Sequence, residues 1–275
     1  MIARFALPLA GLLLLGAGSA VATDAPPLDA LVGRVSMSLG GPTGGLKTLE
    51  GAPAIELVFR RTVRDSHSAA EITADHRYVE VGAKRRIDVR VVDGDGTDSA
   101  AIVSDSSWMI VDGATHTVEA TAVEAQMGEF GPRRLWSVPF ALASEGREIL
   151  NAASLEVVGR GDGESGSEVL VMVGKNEEGE ETSRVEVDAK SYRPTNVQFV
   201  SSSGKVEYRY GDYREIADGL VVPFSREFLR NGSRVSRTDV TSLSLRPPKE
   251  VARLFDEAVT KLSPLPVPKG ISSRD

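Results

Sequence analysis

The sequence predicts a mainly β protein with a few helices, an α+β chain built on a long antiparallel sheet. Three observations carry this. From Ala54 onward, short runs take a period of two, as in Ile55, Leu57 and Phe59 set against Glu56, Val58 and Arg60, the period of a half-buried strand. Turn dipeptides punctuate those runs: Asp93-Gly94, Asp112-Gly113, Asp218-Gly219 and Asn231-Gly232. Helical spacing is confined to the two ends and one mid-chain stretch, which excludes a doubly wound parallel sheet.

The first 22 residues have the layout of a cleavable export signal. Arg4 supplies the positive charge, Phe5 to Gly16 is almost wholly Leu, Ala and Gly, and Ala20-Val21-Ala22 places small residues before Thr23. The apolar run is shorter than the roughly 20 residues a membrane span needs. Residues 23–262 are then expected to form a single domain, with 263–275 as a Pro-rich tail carrying Pro264, Pro266 and Pro268.

Asp24 before Pro26-Pro27 marks a helix start, and Leu28, Leu31, Val32, Val35 and Leu39 follow at helical spacing until Gly40-Gly41-Pro42. Leu46 and Leu49 suggest a short helical turn. Strands are expected at Ala54–Phe59, Glu71–Val81 and Arg86–Val92, then at Ala100–Val103, Ser107–Val111 and Thr115–Val118. Glu119 to Ala143 breaks the pattern and reads as helical pieces, interrupted at Gly131-Pro132 and at Pro139. Gly159 to Gly166 reads as a polar loop. A second meander follows: Val169–Val173, Arg184–Asp188, Asn196–Val200, Lys205–Tyr210, Val221–Arg230 and Ser233–Leu245. Pro247-Pro248 ends it, and Lys249 to Lys261 is an amphipathic helix.

Charge and motifs narrow the function classes. The 275-residue chain carries a net charge of −7 and no cysteine. An acidic surface disfavours nucleic acid and anionic membrane as partners, and an exported chain without cysteine has no disulfide framework. His67, His76 and His116 have no metal-ligand spacing. Asp93, Asp95 and Asp98 resemble the start of a calcium loop, but Ser104 stands where a bidentate Glu is required. Gly163-Glu164-Ser165-Gly166 is one residue short of a nucleophile elbow and lacks its strand-to-helix setting. Gly159, Gly161 and Gly163 open no helix that could receive a pyrophosphate. A carboxylate pair assembled in space stays open, although only 5% of the chain is aromatic. No metal and no cofactor is expected.

One further set of residues carries a resemblance. Leu39-Gly40-Gly41 and Gly45-Leu46-Lys47 lead into a strand, and Ser107-Trp108 precedes Asp112-Gly113. Toward the C-terminus come Val185 to Asp188, Tyr192-Arg193-Pro194-Thr195, Tyr210 to Arg214, Asp218-Gly219 and Val222-Pro223. From Leu28 to Ala258 this punctuation resembles the LolA/LolB-like proteins, the outer-membrane lipoprotein carriers and their exported relatives. The resemblance implies a curved antiparallel sheet, an unclosed β-barrel, with helices covering its concave face and a hydrophobic cavity between them for acyl chains.

Together these readings give a periplasmic or secreted protein without enzymatic activity. It is expected to bind a lipid acyl chain, an apolar ligand or a lipoprotein in a half-barrel. Leu57, Phe59, Val89, Trp108, Trp136, Phe140, Met172, Phe199, Tyr208 and Phe224 are the expected inward residues. Trp136 and Phe140, four apart, share a helix face that is either a permanent packing surface or a cover over a cavity. The rival readings are an envelope interaction or sensor protein with a filled core, and a hydrolase whose site assembles only in three dimensions.

Overall fold

The structure is a computed structural model that describes residues 25–41, 48–49, 51–64, 70–93, 99–104, 107–111, 115–118, 131, 135–144, 154–163, 166–201, 204–216 and 219–256. Among them run thirteen strands in one sheet. The first six are β1 (Ile55–Arg64), β2 (Glu71–Val81), β3 (Lys84–Asp93), β4 (Ser99–Ser104), β5 (Ser107–Val111) and β6 (Thr115–Val118). The other seven are β7 (Ser154–Asp162), β8 (Glu168–Lys175), β9 (Glu181–Asp188), β10 (Pro194–Ser201), β11 (Gly204–Glu215), β12 (Val221–Arg230) and β13 (Ser233–Leu245). Three helices join them: α1 (Leu28–Ser38), α2 (Ser137–Ser144) and α3 (Pro248–Asp256).

The strand order is β6-β5-β4-β3-β2-β1-β13-β12-β11-β10-β9-β8-β7. Two antiparallel meanders are thus sewn together by β1 against β13, with Ile55 opposite Leu245 and Phe59 opposite Val240. The sheet is mainly β, curved and unclosed. Its outermost strands, β6 and β7, are consecutive strands in the chain, and α2 lies between them in sequence.

The covered face holds the main core. Leu31, Val35 and Leu39 of α1 and Phe140 and Leu142 of α2 pack with Leu57, Phe59, Met172, Val197 and Phe224 from the sheet. α1 ends as expected, with Gly41 N–H donating to the Ser36 carbonyl at 2.9 Å and Gly40 and Gly41 at φ 114° and 72°, conformations that glycine adopts without strain. Pro139 lies inside α2, not at an interruption, because the N–H groups of a first turn have no intrahelical acceptor to lose.

α3 packs elsewhere. Its Val251 buries against Ala54 and Val79. Val79 pairs with Glu56, out of phase with Leu57 and Tyr78, so the C-terminal helix covers the opposite face. That face also carries ion pairs, Arg60–Asp75 at 2.7 Å and Arg77–Glu56 at 2.6 Å, and a buried pair, Arg86–Asp88 at 2.8 Å.

The stretch expected as a polar loop is partly a strand. β7 runs through Gly159, Arg160 and Gly161. Gly159 takes φ 142° at the register shift between Val157 and Gly159, a bulge that glycine accommodates, whereas a Cβ on Gly161 would make only ordinary contact with Val169 and Val171 at 3.9 and 3.8 Å. With Val173 those valines form a separate buried cluster, which is why β8 reads as a continuous apolar run instead of an alternating one. The Asn231-Gly232 turn joins Arg230 directly to its partner Ser233, with φ of 51° and 77°, a tight two-residue hairpin. Between β5 and β6 Val111 pairs with Thr115, and the Asp112-Gly113 expected to turn there lies outside the described residues.

Candidate functional site

Alternation along each strand fixes which side chains reach the covered face. On β1 these are Leu57, Phe59 and Arg61; on β12, Val222, Phe224, Arg226 and Phe228; on β11, Val206, Tyr208 and Tyr210. Of the ten expected inward residues, Leu57, Phe59, Trp136, Phe140, Met172 and Phe224 are buried members of the main core. Val89, Phe199 and Tyr208 are partly buried against it. Trp108 lies on β5, and its side chain is outside the described part of the structure. None of the ten is catalytic in its setting, and no group of three His, Asp or Glu side chains among the described residues could hold a metal.

Trp136 is fully buried, and its indole N–H donates to the Pro223 carbonyl at 2.8 Å. This bond ties the α2 segment to β12, directly beside Phe224. Farther along the same face the lining becomes half-buried and aromatic. The Tyr208 ring stacks on Phe228 at 5.2 Å and meets Phe199 edge-on at 6.3 Å.

Next to these rings the lining is no longer apolar. Arg226 lies over the Tyr208 ring at 4.8 Å. Its Nε and the Tyr210 hydroxyl are closed to water and make no hydrogen bond. Burial pushes the Tyr210 hydroxyl above its ordinary range, with the Arg226 charge opposing. His76 stacks on Phe59 at 4.7 Å, and its Nδ1–H donates to the Ala74 carbonyl at 3.1 Å. Burial drives its pKa down to about 4, helped by the charge of Arg61. The imidazole is therefore neutral at neutral pH.

Two clefts open nearby, and Tyr210 itself borders the first. One of about 590 Å³ is lined by Glu186, Asp188, Arg193, Asn196, Arg209 and Tyr213. There burial raises the Asp188 carboxyl, but hydrogen bonds from the Ser191 N–H and hydroxyl and the Lys190 N–H outweigh it, and the net shift is downward. The other, about 560 Å³, runs along α1 at Gly33, Arg34 and Met37 beside Tyr192. None of the ten expected residues lines either cleft.

No family profile matches the chain and no curated protein does. Among solved structures the chain is similar to a domain assigned to outer membrane lipoprotein sorting from Vibrio parahaemolyticus. That match has 12% identity and a TM-score of 0.41, and it covers 79% of this chain and 98% of that one. It is similar to a LolA superfamily protein from Nitrosomonas europaea, with 12% identity, a TM-score of 0.40 and coverage of 82% and 97%. A DUF1329 family protein from Desulfovibrio piger matches at 8% identity and a TM-score of 0.45, covering 86% and 100%. The likeness is one of fold.

The inward arginines are what the sequence reading passed over. Their signal was present. Arg226 falls in phase between Phe224 and Phe228, and Arg61 follows Leu57 and Phe59 at the same spacing, so each is a cation where alternation calls for an apolar residue.

Proposed function

We propose that this protein is an exported, non-enzymatic binding protein of the cell envelope that holds an apolar or lipidic ligand, or a lipidated partner, against the helix-covered face of its sheet. The observation that carries this reading is the half-buried aromatic row Phe199, Tyr208 and Phe228, which continues the buried core beyond α1 and α2. Contiguous apolar surface that the fold itself does not bury is characteristic of a binding face. Each methylene seated there contributes about 0.8 kcal/mol without directional demands, which suits a carrier. The export signal read from residues 1–22 supports the periplasm, or secretion, as the place of action.

Native mass spectrometry with lipid extraction tests this directly. Purified protein is expected to release an acyl-bearing compound, and added fatty acids or lipopeptides are expected to raise its Tm. If extraction yields nothing and no amphiphile shifts Tm, the reading is wrong.

A second reading, an envelope interaction or sensor protein with a filled core, is supported by the complete burial of Trp136 and its bond to Pro223. Under it α2 is a permanent part of the core, and the same experiment returns no lipid and no shift.

A further inference from the structure

The cleft of about 590 Å³ is built on side chains that the main core does not use. The register sets Glu186, Asn196 and Arg209 opposite one another on β9, β10 and β11. They stand out of phase with Val185, Val197 and Tyr208, which pack in or against the main core, so alternation turns them to the other face. The pairing of β10 with β9 shifts register between Pro194 and Asn196, the kind of bulge that re-aims a strand side chain.

Asn196 is the residue that packing does not account for. It is 6% exposed, its side-chain oxygen is closed to water, and its carboxamide makes no hydrogen bond among the described residues. A carboxamide so placed costs stability unless a ligand meets it. Arg193 borders the same cleft, half-buried. Its guanidinium lies 5.6 Å from the centre of the Tyr213 ring, its Nε makes no hydrogen bond, and it forms no ion pair among the described residues. The Glu186 carboxylate has Arg184 beside it at 3.7 Å, beyond hydrogen-bond reach. The walls around these groups are fixed: the Tyr213 hydroxyl donates to the Pro194 carbonyl at 2.6 Å, and the Ser191 hydroxyl donates to Asp188 at 2.8 Å.

These groups make opposite demands. The Asn196 oxygen and the Glu186 carboxylate accept, whereas Arg193 and the Asn196 nitrogen donate. A hydroxyl does both from one atom, and neighbouring hydroxyls on a sugar ring meet adjacent donors and acceptors. The formal charges of Glu186 and Asp188 are balanced by those of Arg193 and Arg209, so a net charge on the ligand gains little. An extended peptide also donates and accepts, but it docks by adding to a free strand edge, and β9, β10 and β11 are each paired on both sides. We propose that this cleft binds a short, uncharged carbohydrate whose hydroxyl groups donate to Asn196 and Glu186 and accept from Arg193. The volume is within the range of small-molecule sites, and the proposal does not depend on what the covered face holds.

The test is a calorimetric titration of the full chain with chitotriose, maltotriose and cellotriose, and with trialanine as a short peptide. The unaltered protein is compared with Asn196→Leu, Arg193→Met and, outside the cleft, Arg237→Gln. At least one saccharide is expected to bind. Asn196→Leu and Arg193→Met are each expected to weaken it about tenfold or more, and Arg237→Gln to leave it unchanged. Melting curves add a readout that a structural amide would move in the other direction. Replacing an unpartnered buried amide by an apolar side chain of similar shape is expected to leave Tm unchanged or raise it. A lower Tm, or failure of Asn196→Leu to fold, would assign the amide to the fold and overturn the proposal. So would absence of saccharide binding at millimolar concentration, binding that survives both cleft substitutions, or binding of trialanine in place of any saccharide.

Discussion

His76 shows how a single buried group couples this fold to pH. Its ring lies flat against Phe59, gives its Nδ1 proton to the Ala74 carbonyl, and feels the nearby charge of Arg61. Folded, it titrates at about 4 against an ordinary 6.5. Between those values the unfolded chain takes up a proton that the folded chain refuses, so stability rises with pH through that window. The contribution is complete above about 6.5 and is lost progressively as pH falls toward 4, the loss reaching at most roughly 3 kcal/mol. Urea midpoints measured from pH 7 to pH 4 are expected to fall more steeply for the natural protein than for His76→Phe. Parallel slopes would show that His76 is not shielded as described. Nothing in the sequence distinguished this histidine from His67 or His116. What matters is that His76 shares the phase of Tyr78 on β2 and stands opposite Phe59, and that pairing depends on a register the sequence alone does not supply. The inward arginines are a different case, since the alternation in β12 and β1 already displayed them.

Single elements were legible where local chemistry decides them. The Asn231-Gly232 hairpin, the first helix and its Gly40-Gly41 stop, and most strands of both meanders follow from two-residue and four-residue patterns. β7 was not, because its glycines look like loop chemistry, and the bulge at Gly159 that keeps them in a strand shows only in the pairing with β8. α3 was legible as an amphipathic helix, but its apolar stripe could not say which face of the sheet it would cover. α2 is the element on which carrier and filled-core readings part, and one bond fixes its position. Replacing Trp136 by Phe keeps an aromatic ring but removes the donor to the Pro223 carbonyl and part of the buried volume. The expected cost is about 2 kcal/mol, read as a lower urea midpoint with an unchanged slope. An unaltered midpoint would mean that α2 is not docked through this bond in solution.

The whole molecule is organised around one non-local seam. Each meander is built of hairpins between neighbours in sequence, but β1 and β13 come from opposite ends of the described chain and must find each other for the two halves to become one sheet. Closing so long a loop costs entropy before its contacts return anything, so pairings of this kind form late and slow folding. Substitutions on the seam should therefore act mainly on unfolding, and those in a local hairpin on folding. Leu57, fully buried on β1, and Leu229, beside the tight turn of the β12–β13 hairpin, give a matched pair. Each changed to Ala should cost about 2–5 kcal/mol. In stopped-flow chevron measurements Leu57→Ala is expected to speed unfolding with little change in the refolding rate, whereas Leu229→Ala slows refolding. If Leu57→Ala slows refolding as much as Leu229→Ala does, the seam forms early, and the sheet nucleates across its centre instead of within its hairpins. That outcome would also change how the covered face arises: Arg61 and Arg226 stand on opposite sides of β13, so the row they share is complete only once the seam has closed.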